Sequence, residues 1–385
     1  MENIAVIFGG VSTEHDISII TALSSIIRPL ELLKKYKIIP IYISKQGLWY
    51  SDSKLAKIET FQGIDLEDDL SRLKPISLEF NKGLKIIKSG SIAGRKKYIK
   101  IDLVFPAMHG TNGEDGSLAG LLNFASIPVV GCSLASSVLA MDKVISKEIA
   151  TANNINVSKY IDTSKSEIEQ NLKEVLNNIE QKLTYPLFVK PAHLGSSIGI
   201  SRVIDQKELI NALEVASHYD DRVIIEEEIP NLIEVTLPII GNLNPIPALL
   251  ERPLSKSEDF FDFDTKYMQG GKKGKGQKGS QGYSEIPAKL DKQLYQDALN
   301  LALKVYKVFG LSGISRVDML IDQKKAKVYF NEINPLPGGL YSHNFNQAGI
   351  SNVELVEKLI FYAKEKFNHS KNIASTFSTN YLKQF

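Results

Sequence analysis

Residues Arg316 to Gly339 read RVDMLIDQKKAKVYFNEINPLPGG, two strand-like runs joined by a polar connection at Gln323–Lys325. On the first run Val317, Met319 and Ile321 alternate with Arg316, Asp318 and Leu320. On the second, Val328 and Phe330 share parity with Glu332 and Asn334. Side chains two apart on a strand share a face. A hairpin centred on Lys325 sets Asp318 opposite Glu332 and Arg316 opposite Asn334. Opposed residues of an antiparallel pair point to one side, with Cβ atoms about 5 Å apart. One face of this hairpin then carries two carboxylates, an amide oxygen and a guanidinium. Carboxylates that close repel, and a divalent cation relieves the repulsion. All-oxygen donors suit Mg²⁺, which takes a few protein oxygens plus substrate phosphates. A solvated, charged face on an ordinary hairpin is the plainer reading, and the hairpin alone does not choose between them.

The chain has 385 residues, beyond the roughly 250–300 at which a single core stops growing. Two or three domains are expected. A hydrophobic content of 43% and a charged content of 23% are ordinary for a globular chain. A formal charge of +2 gives no argument for a nucleic-acid or membrane partner. A single cysteine, Cys132, excludes an intrachain disulfide and fits a reducing compartment. Beside Gly131 it reads as a small core residue. Met1-Glu2-Asn3 runs straight into strand-like residues with no signal-peptide pattern. No run approaches the roughly 18 apolar residues of a membrane helix. The chain reads as cytoplasmic.

Ile4–Phe8 is a short apolar strand, and Gly9-Gly10 a turn. Thr13-x-x-Asp16 resembles a capping box opening a helix, with Ile19, Ile20, Leu23, Ile26 and Ile27 as its stripe. With a second strand at Ile38–Ile43 this is the βαβ opening of an α/β domain. A third strand, Ile101–Phe105, leads to His109-Gly110 and the turn-rich Thr111–Gly116, and Pro128–Val130 reads as a short buried strand. Functional residues of open α/β sheets collect at the carboxyl ends of strands, where Gly9–Glu14 and His109–Asp115 both fall. A helix is expected over Val138–Ala150, carrying Lys143 and Lys147 one turn apart. Further helices are expected near Ser164–Lys182, Gln206–Ser217, Lys292–Phe309 and Val353–Phe367. Strands are expected at Leu187–Pro191, Arg222–Ile229, Val235–Ile240 and Phe260–Tyr267, and a loosely held tail from His369.

Lys190 ends a strand and is followed by Pro-Ala-His-Leu-Gly195-Ser196-Ser197-Ile-Gly199. Glycines allow close backbone approach, and the N–H and hydroxyl groups of the serines can grip phosphate oxygens. The lysine precedes the glycines, so this is not a Walker A loop, and a plain strand-to-helix turn would look the same. Glu226, Glu227 and Glu228 end a strand. They are either an exposed acidic end or a source of an adenine-binding carboxylate, with Glu234 taking ribose hydroxyls. The Gly/Lys-rich segment after Tyr267 reads as a disordered basic loop or, beside a phosphate site, as a lid rooted at Lys266 and Tyr267. His109 is either a turn residue or a substrate contact.

Seven motifs in order resemble the ATP-grasp superfamily, and within it the D-alanine–D-alanine ligase family. They are Phe8-Gly-Gly-x-Ser12-x-Glu14-His15, His109-Gly-x-x-Gly-Glu-Asp-Gly116, Met141-Asp-Lys143, Val189-Lys190-Pro191 with Gly195-Ser-Ser197, Phe261–Tyr267, Gly313-x-x-Arg316-x-Asp318, and Glu332-x-Asn334 with Pro337-Gly338. The resemblance implies an α/β and α+β, three-domain ATP-grasp fold with a Rossmann-like N-terminal domain. Its expected divisions are an N-terminal substrate-binding domain at 1–138, a central ATP-grasp subdomain at 139–229 and a C-terminal one at 230–385. It implies that ATP and Mg²⁺ (or Mn²⁺) activate one D-alanine as an acyl phosphate, which a second D-alanine attacks to give a cell-wall dipeptide. A homodimer is the implied assembly.

Asp318, Glu332 and Asn334 resemble the metal ligands of that family. Lys143, Lys190 and Lys266 resemble its phosphate-binding lysines, and Ser197 would touch the transferred phosphate. Arg316 and the Gly338 N–H resemble the oxyanion-stabilising groups. Glu14 looks like the acid holding the first substrate's ammonium, linked through Ser196 and Tyr267 to the lid, and His109 looks like a first-substrate contact. Glu234 matches the ribose acid, and Glu226 or Glu227 the adenine acid. The sequence departs from the family after Asn334, where Pro335, Gly339 and Leu340 stand, and at Phe261 and Phe263, which lack tyrosine hydroxyls. The lid is also unusually rich in lysine. The usual Ser-Leu for the second substrate's carboxylate has no clean counterpart, and Ser342-His343-Asn344 occupies its place. The departures concern the lid and the acceptor. A ligase with another acceptor, D-serine or D-lactate, is therefore the nearest rival. A non-catalytic nucleotide-binding member is a further one, which the presence of all the motif residues argues against.

Overall fold

The computed structural model describes residues 1–63, 70, 72–89, 96–254, 284–374, 379 and 381–385. The expected strand at Phe260–Tyr267, the lid, Lys266 and Tyr267 lie outside the described residues.

Strands β1 (Glu2–Gly9), β2 (Tyr36–Ile43), β3 (Trp49–Tyr50), β4 (Ser77–Glu79), β5 (Leu84–Ser89), β6 (Lys96–Ile101) and β7 (Leu103–Pro106) come first. They form one sheet of order β3-β2-β1-β7 and a second of order β4-β5-β6. β1 is parallel to both β2 and β7, and its Ile4–Phe8 core is fully buried. A near-continuous apolar run is what a parallel strand covered on both faces requires. The single strand expected over Ile101–Phe105 is divided between β6 and β7 at Asp102, whose carboxylate accepts from the Asn3 N–H at 2.9 Å. Pro128–Val130 contributes only a bridge from Val129 to Val104.

The capping box expected at Thr13 does not form. The helix starts at His15 after Glu14, with no side-chain cap. Ser12 takes the part instead, accepting from the Glu14 N–H at 3.1 Å. The helix continues to Leu33 through a widened π turn at Thr21–Ile27, a feature frequent at functional sites.

The helix expected over Val138–Ala150 is two, Leu134–Met141 and Lys143–Ala152. Asp142 breaks it with extended backbone, and its carboxylate caps the second helix through Val144 N and Ile145 N at 2.8 and 2.9 Å. Strands β8 (Tyr160–Ser164), β9 (Leu187–Pro191), β10 (Ser201–Val203) and β11 (Arg222–Glu227) then form an antiparallel sheet of order β10-β9-β11-β8. Helices Lys165–Lys182 and Gln206–Tyr219 cover one face, packing Ile168, Ile179, Leu209 and Leu213 on Leu187, Val189, Val223 and Ile225. Ser164 and Glu167 close a reciprocal capping box on the first of these helices.

Strands β12 (Leu232–Gly241), β13 (Ile246–Pro247), β14 (Arg252–Pro253), β15 (Ser284–Glu285), β16 (Gly313–Asp322) and β17 (Lys327–Asn334) follow. Four of them make a sheet of order β13-β12-β16-β17, backed by helix Lys292–Val308. The last helix, Asn352–Lys371, runs past the expected end and takes in His369. Its Leu355, Val356 and Leu359 share a core with Ile26, Ile27 and Leu30 of the N-terminal helix. Among the described residues no helix is long and apolar enough to cross a membrane.

Candidate active site

Asp318 pairs with Glu332 and Arg316 with Asn334 across β16 and β17, the facing expected from a hairpin centred on Lys325, although the observed turn is centred between Lys324 and Lys325. Nearer the turn the register differs. Met319 pairs with Phe330, so Asn331 is an extra residue and the strand bulges there. The parity drawn from the sequence, which put Val328 and Phe330 on the face of Glu332, is therefore corrected. The bulge sends Val328 and Phe330 into the core while Glu332 and Asn334 stay half-exposed on the other side. Bulges commonly re-aim side chains beside active sites.

Arg316 holds Asp318 with a two-pronged contact, Nε to Oδ1 at 2.7 Å and Nη2 to Oδ2 at 2.6 Å. Thr236, opposite Asp318 on β12, donates to Oδ1 at 2.7 Å, and Asn334 Nδ2 donates to Oδ2 at 3.0 Å. Burial works against the Arg316 charge, but Asp318 beside it raises the guanidinium pKa well above its usual value. Tyr341 lies against the guanidinium, with 5.0 Å from Cζ to the ring centre, and hydrogen-bonds Thr236. Neither Thr236 nor Tyr341 is marked by any sequence motif. Thr236 could have been found from strand parity, because it lies two residues beyond Glu234 on the same face.

Lys143 meets this face, while Lys147 of the same helix and Lys190 of β9 meet Glu226 on β11. Lys143 Nζ lies 3.4 Å from Glu332 Oε2 and donates to Leu194 O at 2.6 Å. Lys190 Nζ lies 3.2 Å from Glu226 Oε1, and Lys147 Nζ 3.2 Å from Glu226 Oε2. Burial alone would raise the Glu226 pKa, yet the charges of Lys147 and Lys190 bring it down to about 2. Glu227, one residue on, accepts from Thr184 N at 3.0 Å and from Lys159 Nζ at 3.3 Å.

The serine loop after β9 bends through Ser196 and Ser197, both left-handed at φ 53° and 59°. Such backbone costs about 1–3 kcal/mol per residue and collects at functional sites. Ser196 Oγ donates to Glu14 Oε1, joining this loop to the start of the N-terminal helix. Gly110 must be glycine, since at φ +67° a Cβ would stand 2.6 Å from Ser12 Oγ and 2.8 Å from Glu14 Oε2. His109 is buried, with Nε2 2.8 Å from Thr21 Oγ1 and Nδ1 3.9 Å from Glu114. Burial opposes its protonation, but Glu114 and then Glu14 outweigh it and raise the pKa. Thr21 also accepts from the Gly339 N–H at 2.9 Å, so the π turn ties His109 to the segment after Gly338. That segment runs left-handed through Gly339, Leu340 and Tyr341 before Ser342 starts a short helix. His343 Nε2 lies 2.9 Å from Glu251 Oε2, and Asn344 is fully buried against Glu251 and Leu249.

His193, in the serine loop, clasps two carboxylates, with Nδ1 3.0 Å from Asp220 and Nε2 3.2 Å from Asp142. Hydrogen bonds to Asp142 and Asp220 raise its pKa to about 10. A raised folded-state pKa means the stabilisation is complete below the ordinary value near 6.5 and is lost as pH rises through about 10. The imidazole is half-exposed, and screening keeps the contribution to about 1 kcal/mol. His193→Asn should lower the thermal midpoint by about 2–4 °C near pH 6.5, with the gap to wild type closing by pH 10.5. A gap independent of pH would show that no imidazolium clasp exists.

Lys143 of the helix meets Glu332 of the hairpin, Lys190 meets Glu226, and Ser196 of the serine loop meets Glu14. With the three four-stranded sheets, these contacts among the candidate site residues point to the class of ATP-grasp ligases. The sequence comparisons narrow this. The model of the D-ala D-ala ligase N-terminus matches residues 3–132, and that of the D-ala D-ala ligase C-terminus matches residues 149–361. The chain is 37% identical to a D-alanine–D-alanine ligase of Thermosipho melanesiensis, covering 100% of this chain and 99% of the other. It is 36% identical to that of Acetivibrio thermocellus, covering 95% and 97%. Among solved structures, the VanG D-Ala:D-Ser ligase from Enterococcus faecalis aligns with a TM-score of 0.76 at 35% identity, covering 94% of this chain and 99% of that one. The D-alanine–D-alanine ligase from Coxiella burnetii aligns with a TM-score of 0.75 at 27% identity, covering 96% and 97%. The chain belongs to the D-alanine–D-alanine ligase family and is an ATP-dependent ligase.

Proposed function

We propose that the protein joins two D-alanines to D-alanyl-D-alanine for peptidoglycan synthesis, with the roles distributed as follows. Glu14 holds the first D-alanine's ammonium, and His109 flanks it. A carboxylate oxygen of that D-alanine attacks the γ-phosphorus of ATP, the bond to ADP breaks, and an acyl phosphate results. The second amine attacks the acyl carbon, phosphate leaves with the electron pair, and the amine loses a proton. Lys143, Lys190 and Lys266 draw phosphate charge away, and Ser197 contacts the transferred group. Arg316 and the Gly338 N–H face the oxygen that becomes negative, the arrangement that most lowers such barriers. Glu234 takes the ribose. Glu227 is the better adenine acid of the pair, since the Glu226 oxygens serve Lys147, Lys190 and Ser158. Ser342 and its neighbours lie on the acceptor side, and Tyr267 completes the link from Ser196 to the lid.

A divalent cation suits the hairpin face. Its donors are hard oxygens, from Asp318, Glu332 and Asn334. Asp318 already receives four hydrogen bonds, the capacity of a carboxylate. Turning the Asn334 amide over frees one of these positions and presents Oδ1 in its place. When bound, Mg²⁺ or Mn²⁺ would neutralise phosphate charge there.

The observation that carries this reading is the Ser196–Glu14 hydrogen bond. A residue of the proposed phosphate loop touches the carboxylate proposed to hold the amino acid's ammonium, which supports a site where the two substrates meet. The test is a product screen with ATP, Mg²⁺ and D-alanine as donor, and D-alanine, D-serine or D-lactate as acceptor. Mass spectrometry should show D-alanyl-D-alanine with one phosphate released per dipeptide. A preference for D-serine, the acceptor in the name of the VanG D-Ala:D-Ser ligase, or an ester product would overturn the acceptor. No phosphate release with any pair would overturn the chemistry.

A further inference from the structure

We infer that Lys147 is a positioning residue for the nucleotide: it holds Glu226 so that Lys190 can leave that carboxylate for a phosphate. The inference rests on the reading of Lys190 as a phosphate ligand. Lys147 is 0% exposed and Glu226 2%, so neither can be a surface pair. Glu226 divides its two oxygens. Oε1 faces Lys190 at 3.2 Å, while Oε2 faces Lys147 at 3.2 Å and accepts from Ser158 Oγ at 2.8 Å. Lys147 also donates to Ser158 at 3.1 Å, which fixes it on the Oε2 side. The helix bearing Lys147 begins at Lys143, and the Lys143 N–H donates to Ala192 O at 3.1 Å. The second lysine is thus held by the same helix start that carries the first.

The charge count gives the logic. One carboxylate with two ammonium groups leaves one surplus positive charge in a buried place, and buried charge is costly unless compensated. An incoming phosphate supplies the compensation. Lys190 turns to it, and Glu226 stays neutralised by Lys147. Without Lys147 the cluster is already balanced. Lys190 could then reach a phosphate only by abandoning a buried carboxylate with no other cation, and that cost would appear as lost nucleotide affinity. Both sides carry the mark of two cations on one carboxylate: burial, with the charge of Lys190, lowers the Lys147 pKa against the pull of Glu226, while Lys147 and Lys190 bring Glu226 down to about 2 against its burial.

The test measures ATP and AMP binding to the full chain by calorimetry with Mg²⁺ present. Lys147→Met should weaken ATP binding roughly 10–100-fold, the size of one charged hydrogen bond. AMP, which lacks the outer phosphates, should change little, and so should D-alanine. Adding Glu226→Gln to Lys147→Met removes the stranded carboxylate and should restore ATP affinity to within about threefold of wild type. A residue that only supported the fold would show no such rescue. Unchanged ATP affinity in Lys147→Met, or a double variant as weak as the single, overturns the inference while leaving the ATP site standing. If Lys147→Met does not fold, Glu226→Gln alone decides. Freed of its competitor, Lys190 should bind ATP at least as tightly as in wild type, and weaker binding overturns the inference. A wild-type chain that binds no ATP overturns the nucleotide site and the inference with it.

Discussion

Glu332→Ala should lower kcat about 1,000-fold or more in phosphate-release assays at saturating ATP, D-alanine and Mg²⁺. A cation at such a site supplies several kcal/mol of charge stabilisation, and each 1.36 kcal/mol is a factor of ten in rate. Two losses coincide in this variant. The hairpin face drops from two carboxylates to one, and Lys143, now 3.4 Å from Glu332 Oε2, loses its partner there. Both changes act on the region where the proposed mechanism neutralises phosphate charge. The side chain is about a quarter exposed, so its truncation leaves no sealed cavity and the thermal midpoint should hold. That separation matters, because a collapsed fold would also abolish turnover. A folded Glu332→Ala protein with near-normal kcat would remove the hairpin from the mechanism.

How far the chain could be read in advance depended on whether a feature is local. Strand Leu187–Pro191 follows from its own apolar run and the proline that ends it, and the observed span is the same. The facing of Asp318 and Glu332 is expected from a turn centred on Lys325, but the observed turn pairs Asp322 with Lys327, and it is the extra residue Asn331 that brings Glu332 opposite Asp318. The bulge at Asn331 was not readable, because it answers a conflict between two levels. Val328 and Phe330 face the core, Glu332 faces Asp318 and Lys143 on the other side, and all three have the same parity. One inserted residue satisfies both demands. The sequence displays the conflict but not where the chain resolves it.

Asp142 is a similar case. The apolar pattern runs through it, so periodicity alone gave one helix. The carboxylate caps the second helix and also meets His193 and Arg222, partners 51 and 80 residues away. Long-range partners of this kind leave no periodic trace. The same holds for Thr21, which bridges His109 and Gly339 from the middle of a π turn. It also holds for Tyr341, which no motif marks and which lies against Arg316. The motif residues were visible because each has a recognisable neighbourhood in the chain. Their supports were not, because they come from other elements.

Arg316→Ala should lower kcat by about 100–1,000-fold, the range for losing one donor to a developing negative oxygen, with a much smaller change in the KM for ATP. The guanidinium has two duties in this structure, and the experiment must separate them. It faces the proposed site of the tetrahedral oxyanion, and it supplies two of the four hydrogen bonds that Asp318 accepts. If the second duty dominates, removing it weakens the cation site, and raising Mg²⁺ should recover much of the rate. If the first dominates, kcat stays low at any Mg²⁺ concentration, because the missing charge is needed only while the acyl carbon is tetrahedral. Arg316→Lys sharpens the comparison. Lysine keeps the positive charge but not the planar fork that matches a carboxylate, nor the flat face that lies on Tyr341. It should regain less than about tenfold over alanine. Full recovery by lysine would mean that charge alone suffices and that the two-pronged geometry has no part in turnover. A kcat for Arg316→Ala within tenfold of wild type would show that the oxyanion is stabilised elsewhere, by the Gly338 N–H or by groups the second amino acid brings with it.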